Sequence, residues 1–114
     1  VPAVTADPDE VRQILWNLLR NAGAATRAAG GHAVRVRVQR ADLGGVLAAA
    51  IEVEDEGPGP PAEAASGTRA GLGLIVAAGI AARQGGRFEI LPRQDARGAC
   101  ARVVLPAARQ GSAA

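Results

Sequence analysis

Asp7-Pro8-Asp9-Glu10-Val11-Arg12-Gln13-Ile14-Leu15-Trp16-Asn17-Leu18-Leu19-Arg20-Asn21-Ala22 is the stretch on which the reading of this chain turns. Asp7 can cap a helix, and Pro8 suits its first turn, where a missing N–H leaves nothing unpaired. Asp9 and Glu10 complement the positive end of the helix dipole. Val11, Ile14, Leu15, Leu18, Leu19 and Ala22 follow at helical spacing, and Gly30-Gly31 stops the run. The spacing predicts a helix from Asp7 to about Ala29. Asn17 and Asn21 lie four apart and share a face beside the apolar stripe. Asparagine is a mediocre helix former because its amide competes for backbone hydrogen bonds, so two on one face ask for a reason. An amide oxygen is a neutral, hard ligand suited to a Mg²⁺ ion that already carries triphosphate charge. Taken alone, a pair of solvated amides is the plainer reading.

Outward from this helix the period changes. Val1 to Thr5 reads as a short extended stretch, the stub of a strand whose partner lies outside this sequence. Ala33 to Arg40 alternates Val34, Val36 and Val38 with Arg35, Arg37 and Gln39, which predicts a half-exposed strand. Asp42 to Gly45 supplies a turn, and a second strand runs from about Leu47 to Glu54 with Ile51 and Val53 inward. Pro60 and Pro61 then help break regular structure, and Ala62 to Ala70 reads as a loop. A second helix opens at Gly71 and runs through Ile75, Val76, Ile80 and Ala81 to Gln84, closed by Gly85-Gly86. A hairpin of Arg87 to Leu91 and Ala99 to Leu105 ends at Pro106. The order β-α-β-β-loop-α-β-β predicts an α/β two-layer sandwich, a mixed β-sheet covered on one face by helices. Residues 1–107 read as one domain and residues 108–114 as a flexible tail.

Composition narrows the function classes. The 114 residues are 48% apolar, too much for disorder, and suffice for one core of moderate size. Trp16 and Phe88 are the only aromatics, so the core must be aliphatic. All 13 basic residues are arginine, against 11 acidic ones, and they are scattered without interleaved aromatics. A net charge of +2 so arranged is no nucleic-acid footprint. The single Cys100 excludes an internal disulfide and a cysteine-based zinc cage, and its alternating surroundings read as a buried small hydrophobe. No stretch reaches the length of a membrane span and no signal peptide is visible. A cytoplasmic domain without direct membrane contact is expected, which leaves open whether a longer parent is membrane-anchored.

Two further segments carry chemistry. Asp55-Glu56-Gly57-Pro58-Gly59 follows a strand directly. A carboxylate there can accept from an exocyclic amine such as adenine N6, and the glycines let the backbone turn close to a flat ring. An ordinary acidic turn has the same composition. Gly71-Leu72-Gly73-Leu74 stands at a helix start, where free N–H groups and the dipole favour polyphosphate. A helix preceded by a flexible loop is the equal alternative. The segment is no P-loop, because no Lys-Ser/Thr follows, and no dinucleotide fingerprint, because the glycine spacing fails.

In this order the three segments resemble the boxes of the Bergerat-fold ATPase superfamily, which holds DNA gyrase, heat-shock chaperone ATPases, mismatch-repair ATPases and sensor histidine kinases. Asn17 to Ala22 resembles its N box, Asp55 to Gly59 its first glycine box and Gly71 to Leu74 its second. The closing hairpin, Gly86 to Ile90 and Arg102 to Pro106, is similar to the ending of the catalytic and ATP-binding domain of bacterial sensor histidine kinases. The resemblance implies that Asn21 holds Mg²⁺ with Asn17 assisting, and that these two form the catalytic set. It implies that Asp55 reads adenine, Gly57 and Gly59 shape the base pocket, and Gly71, Leu72, Gly73 and Leu74 hold the phosphates. Thr68 and Arg69 are candidates for the γ-phosphate. Hydrolysing branches place a water-activating Glu where this chain has Asn17, which cannot take a proton, so ATP should be kept for transfer.

The implied function is transfer of the ATP γ-phosphate, with Mg²⁺, to a histidine on a separate dimerisation and phosphoacceptor domain, and onward to a response regulator. His32, the only histidine, sits after Gly30-Gly31 without the helical setting of a phosphoacceptor. The chain departs from the family pattern in its short interval from Pro60 to Ala70, and in Ala24 and Ala25, where a basic and an aromatic residue are frequent. Arg20, Arg27 and Arg69 are the candidates to replace that charge. The alternative is a degenerate docking or phosphotransferase-like module with weak or no nucleotide binding.

Overall fold

In the computed structural model, which describes residues 1–59, 69–93 and 97–108 (69–72 by backbone only), helix α1 spans Pro8–Ala28. Asp7 caps it as the sequence predicts: Oδ1 accepts from the Asp9 amide at 2.9 Å, and its carbonyl accepts from Val11 at 3.0 Å. At the other end Gly30 takes φ +77°, a left-handed conformation that glycine adopts without a Cβ clash. Ile14, Leu18, Ala22 and Thr26 form the buried stripe of α1. Leu19, expected in that stripe, lies on its flank and is 39% exposed. Trp16 is 62% exposed, so the core is indeed aliphatic apart from Phe88 at its edge.

Strands β1 (Arg35–Leu43) and β2 (Val46–Glu54) form a hairpin longer than the sequence predicts. Gly44 and Gly45 both take positive φ, +60° and +87°, and so turn the chain in two residues with the twist that flanking strands prefer. Asp42 and Leu43, expected in the turn, therefore belong to β1. Strands β3 (Arg87–Pro92) and β4 (Ala99–Pro106) form the second hairpin.

The sheet order is β1-β2-β4-β3. Strands β2 and β3 run the same way, as expected of a strand–helix–strand unit, but β4 inserts between them. Every neighbouring pair of named strands is therefore antiparallel among the described residues, where a mixed sheet was expected. The two-layer α/β sandwich itself is as the sequence predicts.

Helix α2 spans Arg69–Arg83 and packs antiparallel to α1. Glu10, at the start of α1, accepts from Arg83 and Gln84 at the end of α2. Helix α2 opens ahead of Gly71, where the sequence reading begins it, because Arg69 and Ala70 are good helix formers and nothing in them stops a first turn. Val1 to Thr5 also departs from expectation. Val4 bridges Ala107, and the Ala108 amide donates to Ala3 at 2.8 Å, so the stretch pairs within this chain, by a single bridge. Among the described residues no helix is long and apolar enough to cross a membrane.

Alternation along the strands gives the sheet two unlike faces. Val53, Val103 and Leu105 pack under the helices with Ile14, Leu18, Ala77, Ile80 and Ala81. Ile51, read as inward beside Val53, is only half-buried. The edge strand β1 lies beyond the helices, which leaves Val36 and Val38 about half exposed, at 49% and 51%. On the opposite face opposite charges sit across from one another: Arg37 opposite Glu52, and Glu52 opposite Arg102. Arg102 Nε lies 3.2 Å from Glu52 Oε2, and Arg35 Nη1 lies 3.4 Å from Glu54 Oε1. Cys100 is buried on this face. Burial first, then Glu52 and Glu54, push its thiol up to about 11, so it is the inert hydrophobe expected of it.

Ile14 is fully buried at the centre of the core and lines no cleft. Ile14→Ala is expected to lower stability by about 2–5 kcal/mol, read as a shifted midpoint in urea denaturation.

Candidate functional site

Between α1, the end of β2, the β3–β4 hairpin and α2 lies a cleft of about 380 Å³. Leu18, Ala22, Ala24 and Ala25 line it from α1, Val53 and Asp55 from the end of β2, and Ile90, Ala99 and Ala101 from the hairpin. Pro58, Gly59, Asn21 and Leu74 complete it. Five of these residues are alanines, which leave room where longer side chains would fill the space. Among the lining residues only Asn21 and Asp55 bring polar side chains. An apolar slot with one or two placed polar groups suits a flat ring with a polar edge.

Asp55 is held rigidly. Its Oδ1 accepts from the Gly57 amide at 2.9 Å and the Ala99 amide at 3.0 Å, and its own amide donates to Ala99 at 2.9 Å. Arg93 Nη1 donates to its carbonyl at 3.1 Å. Oδ2 has no partner among the described residues, so the carboxylate keeps an acceptor for a ligand. The approach of the two strands depends on Gly98, whose φ is +134° and whose added Cβ would lie 2.1 Å from the Asp55 carbonyl oxygen. Gly57 is pressed against α1 in the same way: a Cβ there would come within 2.8 Å of Ala25 Cβ. Gly59, at φ +113°, turns the backbone along the slot.

Glu56 does work that sequence reasoning missed. Its Oε1 accepts from the amides of His32 at 2.6 Å and Ala33 at 2.9 Å, and its amide donates to Thr26 Oγ1 at 3.0 Å. The His32 amide first, then that of Ala33, hold its carboxyl below the usual carboxylate range. Glu56 thus ties the loop after β2 to the end of α1. Its signal in the sequence was faint: an acid beside Asp55, and a polar Thr26 one turn past Ala22 on the buried stripe. Gly98, Ala99 and Ala101 were missed as well, because only the fold brings the second hairpin against Asp55.

A second cleft, of about 400 Å³, adjoins the first through Asn21 and Ala24. Asn17, Asn21 and Gly73 line it with Gln13, Arg20 and Val76. A Cβ on Gly73 would lie 3.5 Å from Asn21 Nδ2 and 3.7 Å from Asn17 Cγ. Asn21 Nδ2 is buried and has no hydrogen-bond partner among the described residues. An unpaired buried amide costs about 1–3 kcal/mol, which a ligand would offset. A half-turn of the carboxamide exchanges Nδ2 for Oδ1, so the position serves an acceptor or a cation. No cluster of three or more His, Cys, Asp or Glu that could hold a metal occurs among the described residues. A cation beside Asn17 and Asn21 would need oxygens supplied by its ligand, which fits Mg²⁺ arriving on a triphosphate.

The second glycine segment is placed differently from its reading. Gly71 falls in the first turn of α2, where amides lack partners within the helix, with Leu72 at the end of that turn; Gly73 and Leu74 lie beyond it, where amides are paired within the helix. Gly73 and Leu74 therefore contribute shape to the clefts and not free N–H groups. Thr68 lies outside the described residues, as do the side chain of Arg69 and residues 60–67.

The sequence matches the profile of the family described as histidine kinase-, DNA gyrase B- and HSP90-like ATPase over residues 6–109. It is similar to the sensory histidine kinase/phosphatase NtrB of Klebsiella oxytoca, 36% identical over 105 residues, covering 78% of this chain and 30% of that protein. NtrB of Rhodobacter capsulatus is 35% identical over 94 residues, covering 66% of this chain and 26% of its own length. The chain thus spans less than a third of these relatives. Among solved structures, the nucleotide-free catalytic domain of histidine kinase ThkA superposes with a TM-score of 0.67 at 26% identity, covering 90% of this chain and 69% of that one. Full-length ShkA in complex with AMPPNP also gives 0.67, at 28% identity, covering 93% and 23%.

Because folding lowers the affinity of Glu56 for a proton, its clasp contributes stability above the ordinary carboxylate range and loses it as pH falls through the lowered value. Glu56→Gln is therefore expected to melt below the parent chain at pH 7, and the gap in Tm should close in acid.

Proposed function

As the chain belongs to the family of histidine kinase-, DNA gyrase B- and HSP90-like ATPases, we propose that it binds ATP with Mg²⁺ as the catalytic domain of a sensor histidine kinase. It hands the γ-phosphate to a histidine on a separate dimerisation and phosphoacceptor domain. The observation that carries this reading is the lining of one slot by both Asn21 and Asp55, from separate elements, with the second cleft opening beside Asn21.

Adenine enters the apolar slot, and Asp55 Oδ2 accepts from its exocyclic amine while Oδ1 remains tied to Gly57 and Ala99. Gly57 and Gly59 keep side chains out of the ring's plane. The phosphates extend into the second cleft towards Asn17, Asn21 and the first turn of α2, where the amide of Gly71 meets them. Arg69 opens this turn and Thr68 precedes it in sequence, and these two are the further candidates for the γ-phosphate. Mg²⁺ held by Asn21, with Asn17 assisting, neutralises charge on the triphosphate and orients it. Asn17 has no carboxylate to take a proton from water, so the bound nucleotide is kept for transfer. The chain's share of catalysis is positioning and charge stabilisation. His32 lies in the loop between α1 and β1 and not on a helix, so the acceptor histidine is assigned to the other domain, and a response regulator takes the phosphate from it. ATP and regulator place the domain in the cytoplasm.

Titration with a non-hydrolysable ATP analogue and Mg²⁺ should show saturable binding; no binding would leave only a docking module of the same fold. Asp55→Asn keeps Oδ1 as acceptor for Gly57 and Ala99 but turns the free oxygen into a donor that opposes the adenine amine. It is expected to weaken adenine-nucleotide binding about tenfold or more with the fold intact. Asn21→Ala should abolish the dependence of binding on Mg²⁺.

A further inference from the structure

A triphosphate needs a cation from the protein as well as from its metal, and this chain has no lysine. Most of the described arginines are engaged elsewhere. Arg35, Arg37, Arg87 and Arg102 pair with glutamates on the face of the sheet away from the helices, Arg83 pairs with Glu10, and Arg12 with Asp9. Arg20 is different. It is the arginine that lines the second cleft, across from Gly73 and one helical turn from Asn17 and Ala24, and it has no carboxylate within ion-pair distance among the described residues.

Arg20 is also held in place. Its guanidinium carbon stands 5.9 Å from the centroid of the Trp16 ring, one turn earlier on α1. A cation–π contact of this kind draws the guanidinium towards the ring without using up its N–H donors, which stay available to phosphate oxygens. Arg27, the other unpaired arginine of α1, does not line the second cleft. Its Nη1 lies over Gly23, 3.4 Å from where a Cβ would stand, in an outer groove that Trp16 and Arg20 line as well, so of the two arginines only Arg20 borders both that groove and the second cleft.

Resting on the ATP reading above, we propose that Arg20, steadied by the Trp16 indole, is the cation that grips the triphosphate. It supplies from within the helix the charge that Ala24 and Ala25 lack. The contact discriminates by phosphate number: it strengthens ATP most, ADP less and adenosine not at all.

The test is titration of the chain and of Arg20→Ala, Arg20→Lys and Arg27→Ala with an ATP analogue, ADP and adenosine, each with Mg²⁺. Arg20→Ala is expected to lose about tenfold or more in affinity for the ATP analogue, with adenosine binding unchanged. Arg20→Lys should recover part of the loss, since it restores charge but not the fork, and Arg27→Ala should bind as the parent chain does. Unchanged affinity of Arg20→Ala for the ATP analogue would overturn the proposal. So would an equal loss for ATP analogue and adenosine, which would mark a merely structural role. Should the parent chain bind none of the three ligands, the ATP reading itself fails, and Arg20 loses its assignment with it.

Discussion

One oxygen of Asp55 joins two parts of the chain that are far apart in sequence. Oδ1 accepts from Gly57 in the loop after β2 and from Ala99 at the start of β4. Carboxylate-to-amide bonds of this kind are among the stronger ones in proteins, and they close the wall of the slot at the point where a base would be read. Around it the backbone is packed so tightly that glycine is required twice, at Gly57 against Ala25 and at Gly98 against the Asp55 carbonyl. The neighbouring Glu56 makes the equivalent tie in the other direction, to Thr26, His32 and Ala33. The dipeptide Asp55-Glu56 therefore ties β4, the loop after β2 and the end of α1 into one wall, and that wall bounds the first cleft.

The rest of the architecture separates tasks by face. The helix-covered face of the sheet is aliphatic and small, which gives the core its stability and leaves the slot beside it. The opposite face consumes much of the chain's charge in cross-strand pairs of arginine and glutamate. Because those arginines are committed there, the polar side chains that line the clefts among the described residues are few: the carboxylate of Asp55, the amides of Gln13, Asn17 and Asn21, and the guanidinium of Arg20. Among the described residues the buried Nδ2 of Asn21 and the Oδ2 of Asp55 have no partner, features of a site shaped for something other than its own side chains.

Much of this was legible before any coordinates. The cap at Asp7, the periods of α1 and the strands, and the glycines at the ends of the helices each express a local rule that acts over a few residues, so they could be read one at a time. The Asn17/Asn21 pair was legible because helical spacing guarantees a shared face. Where the reading of the sheet erred, the cause was a competition between distant segments. The insertion of β4 between β2 and β3 made the sheet antiparallel, and the reach of the helices left Val36 and Val38 half exposed on an edge strand. Helix α2 began at Arg69, since propensity outweighed the glycines as a start signal.

By itself, then, the sequence determined the elements, the kind of residue each presents and the short list of groups able to do chemistry, because backbone propensity, capping and alternation are local. Only the tertiary structure decided which of those groups meet. Glu56 became a clasp, Gly98 and Ala99 became part of the wall, Arg20 rather than Arg27 came to line the second cleft, and Gly73 came to lie beyond the first turn of α2, against Asn17 and Asn21. Each of these depends on the packing of segments far apart in the chain, which close-packed side chains and unforgiving backbone contacts settle and local sequence does not.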